Sequence, residues 1–142
     1  MPSGYRDLPL IIRYLGLQDY AVTYAAMRDF VERRNDQCSD EIWFLQHDPV
    51  YTQGQAGKPD HILSPGNIPV VKTDRGGQVT YHGPGQITAY LLIDLKRLKI
   101  GVRDLVTLIE QALVDCLHHW QIKASPRADA PGVYVEDGRK IA

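Results

Sequence analysis

The stretch from Val102 to Trp120 constrains the fold more than any other. Val102, Leu105, Val106, Ile109, Ala112, Leu113, Cys116, Leu117 and Trp120 recur at intervals of three and four residues, the repeat of one helix face. A long helix with a single apolar stripe lies against a core. Cys116 falls on that stripe and reads as a small core hydrophobe. The 142 residues, 44% hydrophobic and 23% charged, suffice for one domain with a core of its own.

The elements around this helix follow from shorter patterns. Residues 10–15 read as a strand that Gly16 ends. Asp19 stands where a helix N-cap belongs, and Tyr20, Tyr24, Met27 and Val31 predict an amphipathic helix over 20–34. A polar loop over 33–40 leads to a buried strand at 41–46, which Asp48-Pro49 stops. Residues 52–66, dense in Gly, Gln and Pro, read as a long surface loop of the kind that carries function. A short strand at 68–73, a turn at 74–77 and an extended run at 78–82 follow. After the tight turn Gly83-Pro84-Gly85 comes a strand at 86–95, a candidate hairpin partner for 78–82. Beyond the long helix, 121–124 reads as a short strand, 125–130 as a loop and 132–135 as a strand. Asp137-Gly138 turns it into a return strand that opens at Arg139.

Strands and helices interleave without strict alternation. The expected class is therefore α+β (α/β), a single domain over 1–142 with a mixed, largely antiparallel central sheet flanked by helices. The sequence stops one step into a return strand that needs a partner for its backbone groups, so the domain is expected to be partial, incomplete at its C-terminus.

Charge and composition exclude several functions. A formal net charge of -1 offers no field for bulk nucleic-acid binding. Met1 to Pro9 is polar and unlike a signal peptide, and the longest apolar run, Ala89 to Ile93, is of strand length, so no membrane association is expected. Two cysteines, Cys38 and Cys116, are too few for a disulfide scaffold. Together these features point to the cytoplasm. No histidine pair has metal-ligand spacing, since His118 and His119 are adjacent and diverge on a helix. No metal and no cofactor is expected.

The densest chemistry lies in Arg75-Gly76-Gly77-Gln78-Val79-Thr80-Tyr81-His82-Gly83-Pro84-Gly85-Gln86. Glycines let a backbone approach a ligand and present N–H groups to a developing oxyanion. The same pattern also suits a glycine-rich hairpin whose polar side chains are solvated, and the residues alone leave both readings open. The spacing is neither that of a dinucleotide fingerprint nor that of a Walker A loop.

This segment, with its Arg-Gly-Gly, Thr-Tyr-His and Gly-Pro-Gly-Gln, resembles the signature of the lipoyl(octanoyl) transferase family. The flanking blocks His47-Asp48-Pro49-Val50-Tyr51-Thr52-Gln53-Gly54 and Pro126 to Val135, with Lys140-Ile141 after them, are similar to the family in the same order. The resemblance runs from about Leu10 to Ala142. It implies the fold of the biotin and lipoate protein ligases. It also implies an acyl transfer in two steps: a cysteine thiolate takes octanoyl from octanoyl-acyl carrier protein as a thioester, and the lysine of a lipoyl domain then takes it from the cysteine. The implied acceptors are the lipoyl domains of 2-oxoacid dehydrogenases and the glycine cleavage H protein.

Carried over by position, the family's lysine is Lys140, whose ammonium favours the thiolate. The substrate-lining residues are Arg75, Gly76, Gly77, Gln78, Val79, Thr80, Tyr81 and His82. The nucleophilic cysteine has no counterpart: the family has it some tens of residues past the lysine. Cys38 sits in a polar loop with no family motif around it, where exposure is expected, and the chain by itself is expected to be inactive. His82 is expected to line substrate or support structure rather than act as a base. His47, at a strand end, is expected to border the pocket, and His61, His118 and His119 read as surface residues. Two other readings stand beside the transferase. A lipoate or biotin ligase of the same fold activates a free acid with ATP, and its phosphate-handling loop would need further basic residues. A non-catalytic chain that binds an acyl group or a partner protein rests on the missing cysteine.

Overall fold

In the computed structural model, residues 8–142 are described. They fall into two compact units, divided between Ile93 and Asp94. The elements run β1 (Ile11–Gln18), α1 (Tyr20–Arg33), β2 (Glu41–His47), β3 (Val50–Gln53), β4 (Val70–Lys72), β5 (Val79–His82), β6 (Thr88–Leu92), α2 (Leu95–Leu98), α3 (Val102–His119), β7 (Ala124–Pro126) and β8 (Val133–Val135). This is the mixed α+β class expected from the sequence.

The first unit is built on β2. Its side chains alternate, with Glu41, Trp43, Leu45 and His47 buried on one face. β1 pairs with it in parallel and β6 antiparallel, giving the order β1-β2-β6. Gly16 does not end β1. It takes a φ of +68° within a register shift after Tyr14, and the strand continues to Gln18. Only a residue without Cβ enters that bulge without strain.

α1 starts where expected, with the Asp19 side chain accepting from the Val22 amide at 3.0 Å. Its inner face is rotated from the expected stripe. Tyr20 and Thr23 are buried, Met27 and Phe30 pack on Trp43, Leu45 and Leu92, and Val31 is exposed. The 20–23–27–30 spacing fits the helical period as well as the other stripe, and packing against the Trp43 ring selects it. Replacing a core side chain such as Leu45 by alanine costs about 2–5 kcal/mol at a site of this kind.

A second sheet in this unit has the order β4-β3-β5, with β3 parallel to β4 and antiparallel to β5. Two expectations are corrected here. The stretch expected as loop from Thr52 begins inside β3, and β5 and β6 do not form a hairpin. β5 pairs with β3 and β6 with β2, so residues 83–87 carry the chain from one sheet to the other. Side chains satisfy the connector instead of a ladder: the Gly85 amide donates to Gln46 Oε1 at 2.6 Å, and the Gln86 side chain donates to the Tyr81 carbonyl at 3.1 Å.

In the second unit the strand expected to reach residue 95 is already over. Asp94 caps the single turn α2, accepting from the Arg97 amide at 3.0 Å, and Lys99 closes it in the left-handed conformation. α3 spans 18 residues, as its periodicity predicts, yet none of them is buried and Val102, Leu108 and Cys116 are exposed. The expectation of a core Cys116 is therefore corrected: the apolar stripe exists but is not covered there. Cys38, expected to be exposed, is half-buried. β7 takes in Ser125 and Pro126, read as loop from sequence, and pairs antiparallel with β8. The return segment folds back as expected, with Val135 N–H donating to the Arg139 carbonyl at 3.0 Å and Ile141 N–H to the Val133 carbonyl at 2.8 Å. No helix among the described residues is long and apolar enough to cross a membrane.

Candidate functional site

In the first unit the Arg-Gly-Gly turn is tied down by its own arginine. The Arg75 guanidinium donates to the Thr52 carbonyl and hydroxyl, both at 2.8 Å, to the Gly76 carbonyl at 2.8 Å and to the Gln78 carbonyl at 3.0 Å. Thr52 is fully buried, so these bonds satisfy groups that water does not reach. A planar fork with donors in fixed directions is what binds four acceptors around one turn. Among the described residues Arg75 makes no ion pair, and its partners are neutral oxygens. From the other side, Gly54, Gln55 and Ala56 donate backbone N–H groups to the carbonyls of Gln78, Arg75 and Gly77. Gly54 carries no Cβ because one would collide with the Gly76 and Gly77 carbonyls.

Beyond the turn, Val79 to His82 form β5. Thr80 and Tyr81 are exposed, and Tyr81 lies against Tyr51 across the pair with ring centroids 5.4 Å apart. His82 is half-buried and its Nδ1 faces Gln86 Oε1 at 2.6 Å. Burial pushes the His82 imidazole below its usual pKa. The Gln86 hydrogen bond opposes this, while His47 and Arg75 reinforce it. The structure thus brings Arg75–Gln78 onto the end of β3, and His82 onto His47.

His47 does more than border the site. It is fully buried, with Nδ1 3.0 Å from the Gln18 carbonyl and Nε2 2.7 Å from the Tyr90 hydroxyl. Its ring meets those of Tyr20, His82 and Tyr90 edge-on at 5.2–5.8 Å. Burial holds the Tyr90 hydroxyl well above the ordinary phenol range, so it stays protonated and is available as a donor. Thr52 and Gly54 were named from sequence only as members of the family-like block, with no role of their own, and Tyr90 was not singled out. A tyrosine hydroxyl inside an otherwise apolar strand was the available signal, because buried hydroxyls take partners.

Lys140 belongs to the second unit. Its side chain lies over Gly132, where an added Cβ would sit 2.5 Å from Lys140 Cε and 3.1 Å from Nζ. Gly132 has a φ of +126°, and its N–H donates to Glu110 Oε1 of α3 at 3.0 Å. Any other residue there would be strained and would displace the lysine. The neighbouring cation, Arg139, is engaged by Asp137 at 2.8 Å. Lys140 makes no ion pair among the described residues. Near the same loop, Val102, Val106, Glu110, Arg127, Asp129 and Pro131 border an open groove of about 520 Å³. Arg127 is paired with Asp129 and stacked on the Tyr134 ring at 4.9 Å.

Each cysteine is set apart from a feature of its own unit. β2 separates Cys38 from His47, and seven strand residues span on the order of 20 Å. Cys116 lies six residues beyond Glu110 on α3, which is about 9 Å along the axis and about 240° around it. Among the described residues, no group of three or more His, Cys, Asp or Glu side chains is arranged to hold a metal ion.

Residues 19–142 match the profile of the family described as the lipoyl protein ligase A/B catalytic domain. The octanoyltransferase of Shewanella loihica is 60% identical over 137 residues, which is 96% of this chain and 62% of the relative. That of an Enterobacter species is 60% identical over 131 residues, 92% of this chain and 61% of the relative. The chain therefore spans less than two thirds of the length of these relatives. A bipartite lipoate protein ligase from Thermoplasma acidophilum superposes with a TM-score of 0.71 at 15% identity, over 94% of this chain and 54% of that one. A lipoate-protein ligase A bound with ATP does so with a TM-score of 0.62 at 14% identity, over 90% and 53%. At those identities the likeness is one of fold, and it agrees with the mixed α+β class. Sequence profile and fold together make this chain a member of the lipoyl protein ligase A/B catalytic domain family.

Proposed function

We propose that both units belong to one catalytic domain of a cytoplasmic octanoyltransferase, residues 1–142 being part of it. The reaction moves octanoyl from octanoyl-acyl carrier protein to the lysine of a lipoyl domain, in 2-oxoacid dehydrogenases and the glycine cleavage H protein. A cysteine thiolate attacks the carrier thioester carbonyl, and the carrier thiol leaves. The domain lysine's amine then attacks the new thioester, and the cysteine thiol leaves in turn. Arg75, Gly76, Gly77, Gln78, Val79, Thr80, Tyr81 and His82 line the acyl group. Lys140 supplies the positive charge that favours the thiolate.

The observation that carries this reading is the 60% identity to curated octanoyltransferases across 96% of the chain. The placement of Lys140 supports it: an ammonium without a carboxylate partner among the described residues, laid along a glycine that leaves it room. Within the first unit Cys38 lies a strand's length from His47, and within the second Cys116 lies about 9 Å along α3 from Glu110, so neither is taken as the nucleophile. The chain alone is therefore inactive in this reading.

The test is a chimera in which this chain is followed by the C-terminal segment of the Shewanella loihica relative. The expected outcome is transfer from octanoyl-acyl carrier protein to an apo lipoyl domain without ATP, read by mass. Lys140→Ala in that chimera should slow transfer by at least about 10²-fold, the scale of losing one group that stabilises charge at the reacting centre. A chimera that instead needs ATP and free octanoate would make the chain ligase-like. Rapid octanoyl transfer by the unextended chain would overturn the assignment of the nucleophile.

A further inference from the structure

Gln86 makes two side-chain hydrogen bonds of opposite sense. Its amide nitrogen donates to the Tyr81 carbonyl at 3.1 Å, and its Oε1 faces His82 Nδ1 at 2.6 Å. A carbonyl only accepts, so the Tyr81 oxygen fixes which end of the amide is nitrogen. The amide oxygen likewise only accepts, so the hydrogen between Gln86 and His82 sits on Nδ1. In the neutral ring Nε2 then carries the lone pair, and Nε2 has no hydrogen-bond partner among the described residues.

The adjacent imidazole provides an internal comparison. His47 Nδ1 faces the Gln18 carbonyl, so it too is the donor, and Nε2 accepts from the Tyr90 hydroxyl. The two rings lie 5.8 Å apart. They share one tautomer, but the acceptor nitrogen of His47 is filled and that of His82 is open. The charged and titratable groups facing His82 are His47 of β2 and Arg75 of the turn before β5. Neither supplies an anion that would draw a proton onto the ring.

We propose that His82, locked as its Nδ1–H tautomer by Gln86, meets the amine that receives the acyl group rather than the acyl oxygen, and takes the proton that amine sheds. The inference rests on the transferase reading. A thioester oxygen seeks donors, and a bare Nε2 repels it, whereas an amine brings donors. As the nitrogen–carbon bond forms, the carbon–sulfur bond breaks and its electron pair leaves with the sulfur. The proton passes from the nitrogen to Nε2, giving an imidazolium that returns it to water. Gln86 is the positioning residue. Without its oxygen the ring is free to take the Nε2–H tautomer, which presents a donor where an acceptor is needed.

The test uses this chain, labelled with nitrogen-15 in histidine, and reads the two ring nitrogens by two-bond correlation spectra across pH. In the parent, His82 should show a protonated Nδ1 and a bare Nε2. Gln86→Leu should release the ring to the Nε2–H form. Gln86→Glu keeps an acceptor oxygen, so it should retain Nδ1–H and raise the His82 pKa. If Gln86→Leu fails to fold, the Gln86→Glu arm decides alone. A protonated Nε2 in the parent, or an unmoved His82 pKa in Gln86→Glu, overturns the lock. Octylamine and octanoate, each below its micelle-forming concentration, then probe the headgroup. Octylamine should shift the Nε2 resonance and octanoate should not; the reverse overturns the assignment to the amine. Failure of the transferase reading itself would look different, as an inactive chimera with the tautomer results unchanged.

Discussion

Gly54 and Gly76 show how differently two glycines of one site are constrained. A methyl group on Gly54 would strike the backbone carbonyl of Gly76, which Arg75 holds, and that of Gly77, which the Ala56 amide holds, whereas nothing lies within 4 Å of one on Gly76. Gly54→Ala should therefore cost about 2 kcal/mol, the scale of overpacking against rigid neighbours. Gly76→Ala should stay within about 0.5 kcal/mol. Urea denaturation of both variants checks this, and equal costs would mean the turn is not held as described. Glu41 makes a second prediction at this scale. Its buried carboxylate accepts from Arg13 at 2.6 and 2.8 Å and from Trp43 Nε1 at 2.6 Å. The Arg13 hydrogen bonds hold its pKa below the usual value, against the opposing effect of burial. A depressed folded-state pKa means the stabilisation is complete above the unfolded value of about 4.3 and is lost as the pH falls through the folded one. The urea midpoint, followed by Trp43 fluorescence, should fall on acidification below about pH 4.3. Glu41→Gln should start lower and lose much of that acid dependence.

At the scale of elements, α3 is tied to β8 through few groups. Glu110 accepts from the Gly132 amide at 3.0 Å, and Val133 beside it is fully buried. Glu110→Ala leaves that N–H without its charged partner. At a half-buried position the expected cost is about 1.5 kcal/mol. The local readout is faster hydrogen exchange at the Gly132 amide, with exchange inside β2 unchanged. A Gly132 amide that exchanges at the parent rate would argue against Glu110 as the anchor. The same anchor carries function in the proposed reading, because Gly132 is the surface on which Lys140 lies.

Across the whole molecule, burial is uneven. Among the described residues, every buried side chain except Val133 belongs to the first unit. Exchange protection tracks buried contacts and shielded hydrogen bonds, so the slowest amides should lie in β2 and its neighbours β1 and β6. Amides of α3 should exchange markedly faster. If α3 were as protected as β2, its apolar stripe would be covered in solution. Val102, Leu108 and Trp120 are 68%, 56% and 71% exposed, which is apolar surface of the kind that drives association. Light scattering should show concentration-dependent association of the chain, reduced in a Val102→Lys, Leu108→Lys double variant. A monodisperse parent would remove that expectation.

What the sequence determines by itself is local or periodic. Asp19 caps α1, β2 alternates, α3 repeats at three and four residues, and the return segment turns at Asp137-Gly138, because each pattern is set by neighbours within a turn or a strand. The glycine-rich signature was legible in the same way, as a string of residues, whereas Lys140 was singled out only through the family resemblance. The tertiary structure alone decides partnership. β5 and β6 are adjacent in sequence and read as a hairpin, but each gains more by pairing with a distant strand, and Gln46 and Gln86 satisfy the connector between them. Which stripe of α1 turns inward depends on the Trp43 ring across from it. Whether Cys116 is buried depends on what covers its helix, which periodicity does not specify. His47 and Tyr90 are 43 positions apart and meet only when β2 and β6 lie side by side. Hydrogen bonds fix a tautomer only between groups the fold has brought within bonding distance, so the tautomer of His82 had to wait for the position of Gln86.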